Sequence, residues 1–289
     1  MTVNRTYKAS IFVDYFADKG RLIEAYNAIA GTDYPSTAAV EFKTLSNVLV
    51  DSLLNDIAFT IEGRYVVLIE HQSTVNENMP LRLLLYLAHI YESIVPPRIL
   101  YRKTAFQIPA PQFIVIYNGT EPYPEQVTLR LSDAFIVRDK EVALDFSVPV
   151  YNITKGKNEE ILRKSKALSD YAAFVSIVRD NMESAISLEE AITKAVYKCA
   201  EDGIMNTYLE TRGSEVRNML LTEWNLDDAL KYAKEEGEEK GLAEGEAKGE
   251  AKGLAEGKHD AARRMKADGL ESTLIEKYTG LSQEEIADL

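Results

Sequence analysis

The sequence predicts an α/β fold, and three observations carry that prediction. Helical and strand patterns alternate through residues 1–155, in the order helix, strands, helix, strand. The best strand, YVVLIEHQS, is apolar on both faces, as a strand central to a sheet covered by helices should be. The composition, 46% hydrophobic and 27% charged over 289 residues, is that of a globular chain long enough to bury a large core.

The elements follow in order. KGRLIEAYNAIAGTDY spaces Leu22, Ile23, Tyr26 and Ile29 along one helical face and ends at Gly31. VEFKTL (40–45) is a short strand. LLNDIAFTI (53–61) and RYVVLIEHQS (64–73) flank Glu62-Gly63 and form a β-hairpin. Asn78 and Pro80 suit the start of a helix over LRLLLYLAHIYESIV, which Pro96-Pro97 closes. QFIVIYNG (112–119) is a buried strand ending in a turn. Residues 156–226 read as a helical subdomain. It holds LSDYAAFVSIVRDNM and SLEEAITKAVYKCAEDGI, the latter with Ser187 and Glu190 spaced as a capping box. Residues 263–289 read as two short helices around Thr279-Gly280, either a small docking module or a tail.

Residues 227–262 form a charged tail in which glycine recurs at 237, 241, 245, 249, 253 and 257. Six helical glycines cost about 6 kcal/mol relative to alanine. Positions four apart drift by about 40° on a helix, so the glycines wind as a slow stripe. Two readings stand: a solvated helical linker, or an arm through which the chain forms a homo-oligomer by close helix approach.

The net charge is −13, but residues 1–155 carry 14 Lys/Arg against 17 Asp/Glu, while 156–289 carry 19 against 29. The acidity is mostly C-terminal, and the nearly neutral first half remains compatible with a phosphate-bearing partner. Cys199 is the only cysteine, which excludes an intrachain disulfide and a cysteine-based zinc site; it reads as a packing residue. No apolar run approaches a membrane span and the first residues lack a secretory h-region, so a cytoplasmic protein with no membrane partner is expected.

No P-loop, HExxH, GxSxG or kinase signature is present. The anomaly is Glu70, a carboxylate in an otherwise apolar strand. Glu70 and Gln72 share a face, with His71 on the other. A three-residue loop (62–64) pairs Ile61 with Tyr65 and puts Asp56 opposite Glu70 on the same face. A two-residue loop puts Asp56 opposite Ile69, on the wrong face. Two carboxylates and an amide oxygen in one buried cluster would suit Mg²⁺ or Mn²⁺. The plainer reading is a strand end that simply emerges into water.

The block N-D-I-A-F-T-I, followed by Y-V-V-L-I-E-H-Q-S-T-V-N-x-N-M-P-L-R-L-L-L-Y, resembles the PD-(D/E)XK nuclease superfamily. More narrowly it resembles the recombination-promoting nuclease (Rpn) group, also labelled putative transposases of the YhgA-like type. The resemblance extends to NRTYKASIFVDYFADKGRLIEAYNAIAGTDY, to PQFIVIYNGTEPYPE, to LRLSDAF (129–135), to SLEEAI and to the glycine-rich tail. It implies a restriction-endonuclease-like core, a mixed sheet flanked by helices, over residues 1–155, followed by the helical subdomain and the long helical C-terminal tail. It further implies Asp56 and Glu70 as catalytic metal-binding carboxylates, with the backbone carbonyl of His71 as a further ligand of Mg²⁺ or Mn²⁺. Gln72 stands where the superfamily pattern has lysine: it can hydrogen-bond the attacking water but brings no positive charge.

Arg82 and Tyr86 lie one turn apart on the following helix, with His89 on the same stripe. They read either as a substrate-binding face, with Arg82 on the scissile phosphate or on Glu70, or as an ordinary ion-pair face. Glu24 could supply a third carboxylate or sit on a solvated face. Asn118 before Gly119 reads as turn chemistry. The leading expectation is thus a metal-dependent DNA endonuclease associated with recombination, transposase-like activity or mobile elements. The alternatives are a catalytically weak DNA-binding or self-associating scaffold with a nuclease fold, and an oligomerisation protein with no nucleic-acid role.

Overall fold

The structure, a computed structural model, describes residues 11–43, 56–137, 142–182, 184 and 187–289, without the side chains of 222–244, 246–247 and 250–251. The expected strand residues 44–45 and 53–55 and the motif residues 4–10 lie outside the described residues. The chain divides into two units, Met1–Trp224 and Asn225–Leu289.

The first unit holds a six-stranded mixed sheet with flanking helices, so the α/β expectation holds. Its strands are β1 (Val40–Lys43), β2 (Asp56–Ile61), β3 (Tyr65–Gln72), β4 (Ala110–Tyr117), β5 (Gln126–Arg130) and β6 (Ser147–Asn152), in the order β1-β2-β3-β4-β6-β5. β1, β2 and β3 form an antiparallel meander; β3, β4 and β6 run parallel; β5 closes the far edge antiparallel to β6. The helices are α1 (Ile11–Phe16), α2 (Lys19–Ala30), α3 (Met79–Ile94), α4 (Glu159–Lys164), α5 (Lys166–Met182), α6 (Leu188–Glu201) and the start of α7 (Asn206–Ala267).

β3 is buried from Val66 to Gln72, as a strand central to the sheet should be. Its even-numbered residues Val66 and Leu68 pack under α3 with Met79, Leu83, Tyr86 and Val115. Its odd-numbered residues Val67 and Ile69 join the larger core made by α1, α2, α5, α6 and the first turns of α7. Cys199 is fully buried in that core, as expected of a packing residue.

Local chemistry sets the helix ends. The Asp18 carboxylate accepts from the Arg21 N–H at 3.0 Å at the start of α2, and Gly31 ends it in the left-handed region at φ 67°. Pro80 sits in the first turn of α3, and Pro96-Pro97 follow its last residues. The Ser187 hydroxyl accepts from the Glu190 N–H at 3.2 Å at the start of α6. The short strands β5 and β6 and the short helices α1 and α4 went unassigned in the sequence. β5 is an edge strand with an alternating, half-exposed pattern, and β6 carries Pro149, which weakens its strand signal.

In the second unit, α8 (Ser272–Thr279) ends at Gly280 with φ 74°, and α9 (Gln283–Ala287) starts at a Ser282–Glu285 capping box. Ala262, Ile275, Leu281 and Ile286 form a small core of their own. Among the described residues no helix is long and apolar enough to cross a membrane.

Among the described glycines, Gly119 is the one most tightly required by its surroundings. A Cβ there would lie 2.1 Å from the Ser73 carbonyl oxygen and 2.3 Å from the Tyr117 hydroxyl. Gly119→Ala should therefore cost about 2–3 kcal/mol of stability in urea unfolding, the penalty of overpacking against a backbone that cannot move freely. A variant as stable as the parent would contradict this packing.

Candidate functional site

The hairpin turn determines the site. Glu62 and Gly63 both adopt left-handed backbone, at φ 53° and 61°, and the Arg64 N–H donates to the Ile61 carbonyl at 3.0 Å. The loop is residues 62–64, Ile61 pairs with Tyr65, and Asp56 faces Glu70. The two-residue alternative is thereby overturned.

Hydrogen-bond alternation refines the geometry. The Gln72 carbonyl accepts from Asn118 on the β4 side, and the Arg64 carbonyl accepts from Ala110 on the same side. Even-numbered residues of β3 thus turn their backbone groups toward β4. Glu70 and Asp56 are then a non-hydrogen-bonded pair across β2 and β3, the kind whose Cα atoms approach to about 4.5 Å. By the same alternation the His71 carbonyl turns toward the β2 side, beyond Asp56.

Both carboxylates are buried, with side chains 6% and 3% exposed. Arg82 reaches them from α3: its Nη2 lies 2.8 Å from Glu70 Oε1 and 4.0 Å from Asp56 Oδ2. Tyr86, one turn on, accepts from Arg82 Nε at 3.2 Å and Nη2 at 3.1 Å, which holds the guanidinium over the pair. Among the described residues, Asp56 Oδ2 and Glu70 Oε2 are buried without a hydrogen-bond partner. Gln72 follows on the same face and is itself buried.

Burial raises the pKa of both carboxyls. The facing Asp56 charge raises Glu70 further, while Arg82 pulls both back. Among the described residues a single guanidinium faces two desolvated carboxylates, too little to compensate both. Among the described residues no cluster of three or more His, Cys, Asp or Glu side chains could hold a metal. These two carboxylate oxygens, with Gln72 two positions beyond Glu70 on the same face of the strand, are hard oxygen donors of the type that would suit Mg²⁺ or Mn²⁺.

The structure thus brings Asp56, Glu70, Arg82 and Tyr86 together, with Gln72 beside them. The His71 ring lies on the opposite face, as expected. It stacks on Phe12 at 4.9 Å and its Nε2 is 3.1 Å from the Tyr171 hydroxyl. Burial, then the Arg179 charge, pushes its pKa down to about 3, so the ring is neutral. His89 does not join the site; it pairs with Glu92 at 3.5 Å on its own helix.

Glu24 follows neither expected course. Its Oε1 accepts from Ser165 Oγ and from the Ala167 N–H, both at 3.0 Å, and so caps the start of α5. Asn118 does more than turn the chain. It is buried, and its Oδ1 accepts from Arg179 Nη1 at 3.1 Å, tying α5 to the end of β4. No local pattern announces Arg179, because Asn118 lies 61 residues away in the chain.

The raised carboxyl pKa values have a definite sign. A group whose folded pKa is raised stabilises the fold below its unfolded value, near 4.5 for Glu70, and loses that stabilisation as pH rises through the folded value. Without divalent ions, Glu70→Gln should therefore gain stability relative to wild type between pH 5 and pH 8 in urea titrations. A difference that does not change with pH would contradict the buried-pair account. His71 has the opposite sign. Its contribution is complete above pH 6.5 and is lost on acidification toward pH 3, so His71→Gln should flatten the acid limb of the same titration. An unchanged acid limb would contradict the buried neutral ring.

No curated protein and no solved structure matches the chain. A family model described as "Putative transposase, YhgA-like" matches residues 47–202, a span that includes Asp56, Glu70, Gln72, Arg82 and Tyr86. The match covers more than half of the chain, which therefore belongs to the YhgA-like putative transposase family.

Proposed function

We propose that the chain is a divalent-metal-dependent DNA endonuclease with a PD-(D/E)XK core, acting in recombination or on mobile elements. The observation that carries this reading is the Asp56–Glu70 pair. Two buried carboxylates face each other across neighbouring strands, each with an oxygen that has no hydrogen-bond partner among the described residues. Such an arrangement is costly as pure structure and is suited to a cation. The transposase description of the family supports DNA as the substrate.

A Mg²⁺ or Mn²⁺ ion held by Asp56, Glu70 and the His71 carbonyl would polarise the scissile phosphate and lower the pKa of a bound water. The remaining work belongs to the chain. Gln72, on the same face as Glu70, offers its amide to orient the attacking water. Arg82 is one-third exposed, so its guanidinium can leave Glu70 and donate to a phosphate oxygen. Tyr86 limits where that guanidinium can go. With glutamine in the lysine position, Arg82 supplies the positive charge that the strand lacks.

One observation favours a second reading, a weakly catalytic DNA-binding scaffold. Arg82 already neutralises part of the carboxylate charge, and Gln72 adds no cation. In either reading the glycine-striped tail is proposed to mediate self-association.

Plasmid nicking tests the choice. Wild type should cleave with Mg²⁺ or Mn²⁺ and stop with EDTA. Asp56→Ala and Glu70→Ala should lose all detectable cleavage, and Arg82→Ala should lose about 10²–10³-fold, the scale of removing one transition-state donor. Equal cleavage by wild type and Glu70→Ala would contradict the assignment. Retained DNA binding without cleavage in every metal would select the scaffold.

A further inference from the structure

We propose that the loop of residues 97–108, between α3 and β4, is a second nucleic-acid contact, with Arg98, Arg102 and Lys103 on backbone phosphates and Tyr101 against a base or sugar face. The proposal rests on the DNA reading above and adds a surface that lies apart from the carboxylate pair.

The loop is tied at its two ends. Pro96-Pro97 enter a 3₁₀ turn over Pro97–Tyr101, closed by Ile99 N–H to the Pro96 carbonyl at 2.9 Å and Arg102 N–H to the Ile99 carbonyl at 3.0 Å. At its return, the Tyr91 hydroxyl donates to the Pro109 carbonyl at 2.7 Å, and the Ala110 N–H donates to the Arg64 carbonyl at 2.9 Å. Held at both ends, it exposes what a solvated loop normally hides: Leu100 is 73% exposed and Tyr101 91%.

Its charge is equally one-sided. Between Glu92 and Glu121 the sequence contains no acidic residue, and Arg98, Arg102 and Lys103 are all exposed. Among the described residues no carboxylate pairs with any of the three. In a chain of net charge −13, three unopposed cations beside an outward tyrosine form a local polyanion site. Cations that track a backbone together with an aromatic platform are the pattern that binds nucleic acid.

The position is consistent with one substrate bridging both places. The loop returns into β4 at Ala110, which pairs with Tyr65, five residues before Glu70 along β3. Five strand residues span about 16 Å. At about 3.4 Å per base pair, the loop would meet phosphates about five base pairs from the scissile position.

The test uses the full chain without divalent ions, so that binding is read apart from cleavage. A fluorescein-labelled 20-base-pair duplex is titrated by anisotropy between 50 and 200 mM salt. The R98A/R102A/K103A variant should bind at least tenfold more weakly at low salt. Its log K against log salt slope should fall by about 2–3, since each lost phosphate contact removes about 0.9. Tyr101→Ala should weaken binding to a single-stranded oligonucleotide at least fivefold with an unchanged salt slope. All four positions are exposed, so both variants should keep the parental melting temperature. Affinity and slope equal to wild type in the triple variant would overturn the proposal and leave the nuclease reading standing. So would a variant that loses binding to anionic phosphatidylserine vesicles while keeping duplex affinity. Conversely, a wild type that binds DNA through the loop yet never cleaves would remove the nuclease reading alone.

Discussion

The turn at Glu62, Gly63 and Arg64 sets the register of β2 against β3, and that register decides the face on which every charged group of the hairpin lies. One residue fewer would pair Asp56 with Ile69 and turn it onto the opposite face of the sheet, away from Glu70. With the register as it stands, Asp56 and Glu70 share the α3 face, and α3 delivers Arg82 and Tyr86 onto them. Left-handed backbone at a glutamate is costly. Here Glu62 is held by the Ala39 N–H donating to its carboxylate, which joins the turn to the start of β1.

The electrostatics follow from that geometry. β3 is buried along its length, so a carboxylate placed there loses water, and a second one opposite raises the cost of ionising either. Arg82 offsets part of this from the edge of the site. The other face of the same strand shows the contrasting solution: His71 stays neutral between Phe12 and Tyr171 and belongs to the core. Adjacent residues of one strand thus take opposite roles because strand side chains alternate.

Much of this was legible in the sequence, for physical reasons. β3 carried a long apolar run, α3 had proline at both ends, and the hairpin loop length left only two registers to compare. Arg82 and Tyr86 were found because helical spacing places them together. What escaped was long-range or weakly patterned. Edge strand β5 alternates at half burial, Pro149 interrupts β6, and Glu24 caps a helix that begins 142 residues later, at Lys166. Arg179 reaches Asn118 from another element, and only the folded chain reveals such a contact.

In the proposed reading, the Asp56–Glu70 pair is a cation site built from carboxylates whose protons are held too tightly in its absence. Its most direct test is calorimetric titration of Mn²⁺ at pH 6, 7 and 8, at each pH in two buffers of different ionisation enthalpy, with Glu70→Gln alongside. Wild type should bind saturably, with proton release that grows as pH is lowered from 8 to 6, and the variant should not bind. Binding without proton release, or equal binding by Glu70→Gln, would place the metal elsewhere and contradict a cation site at this pair.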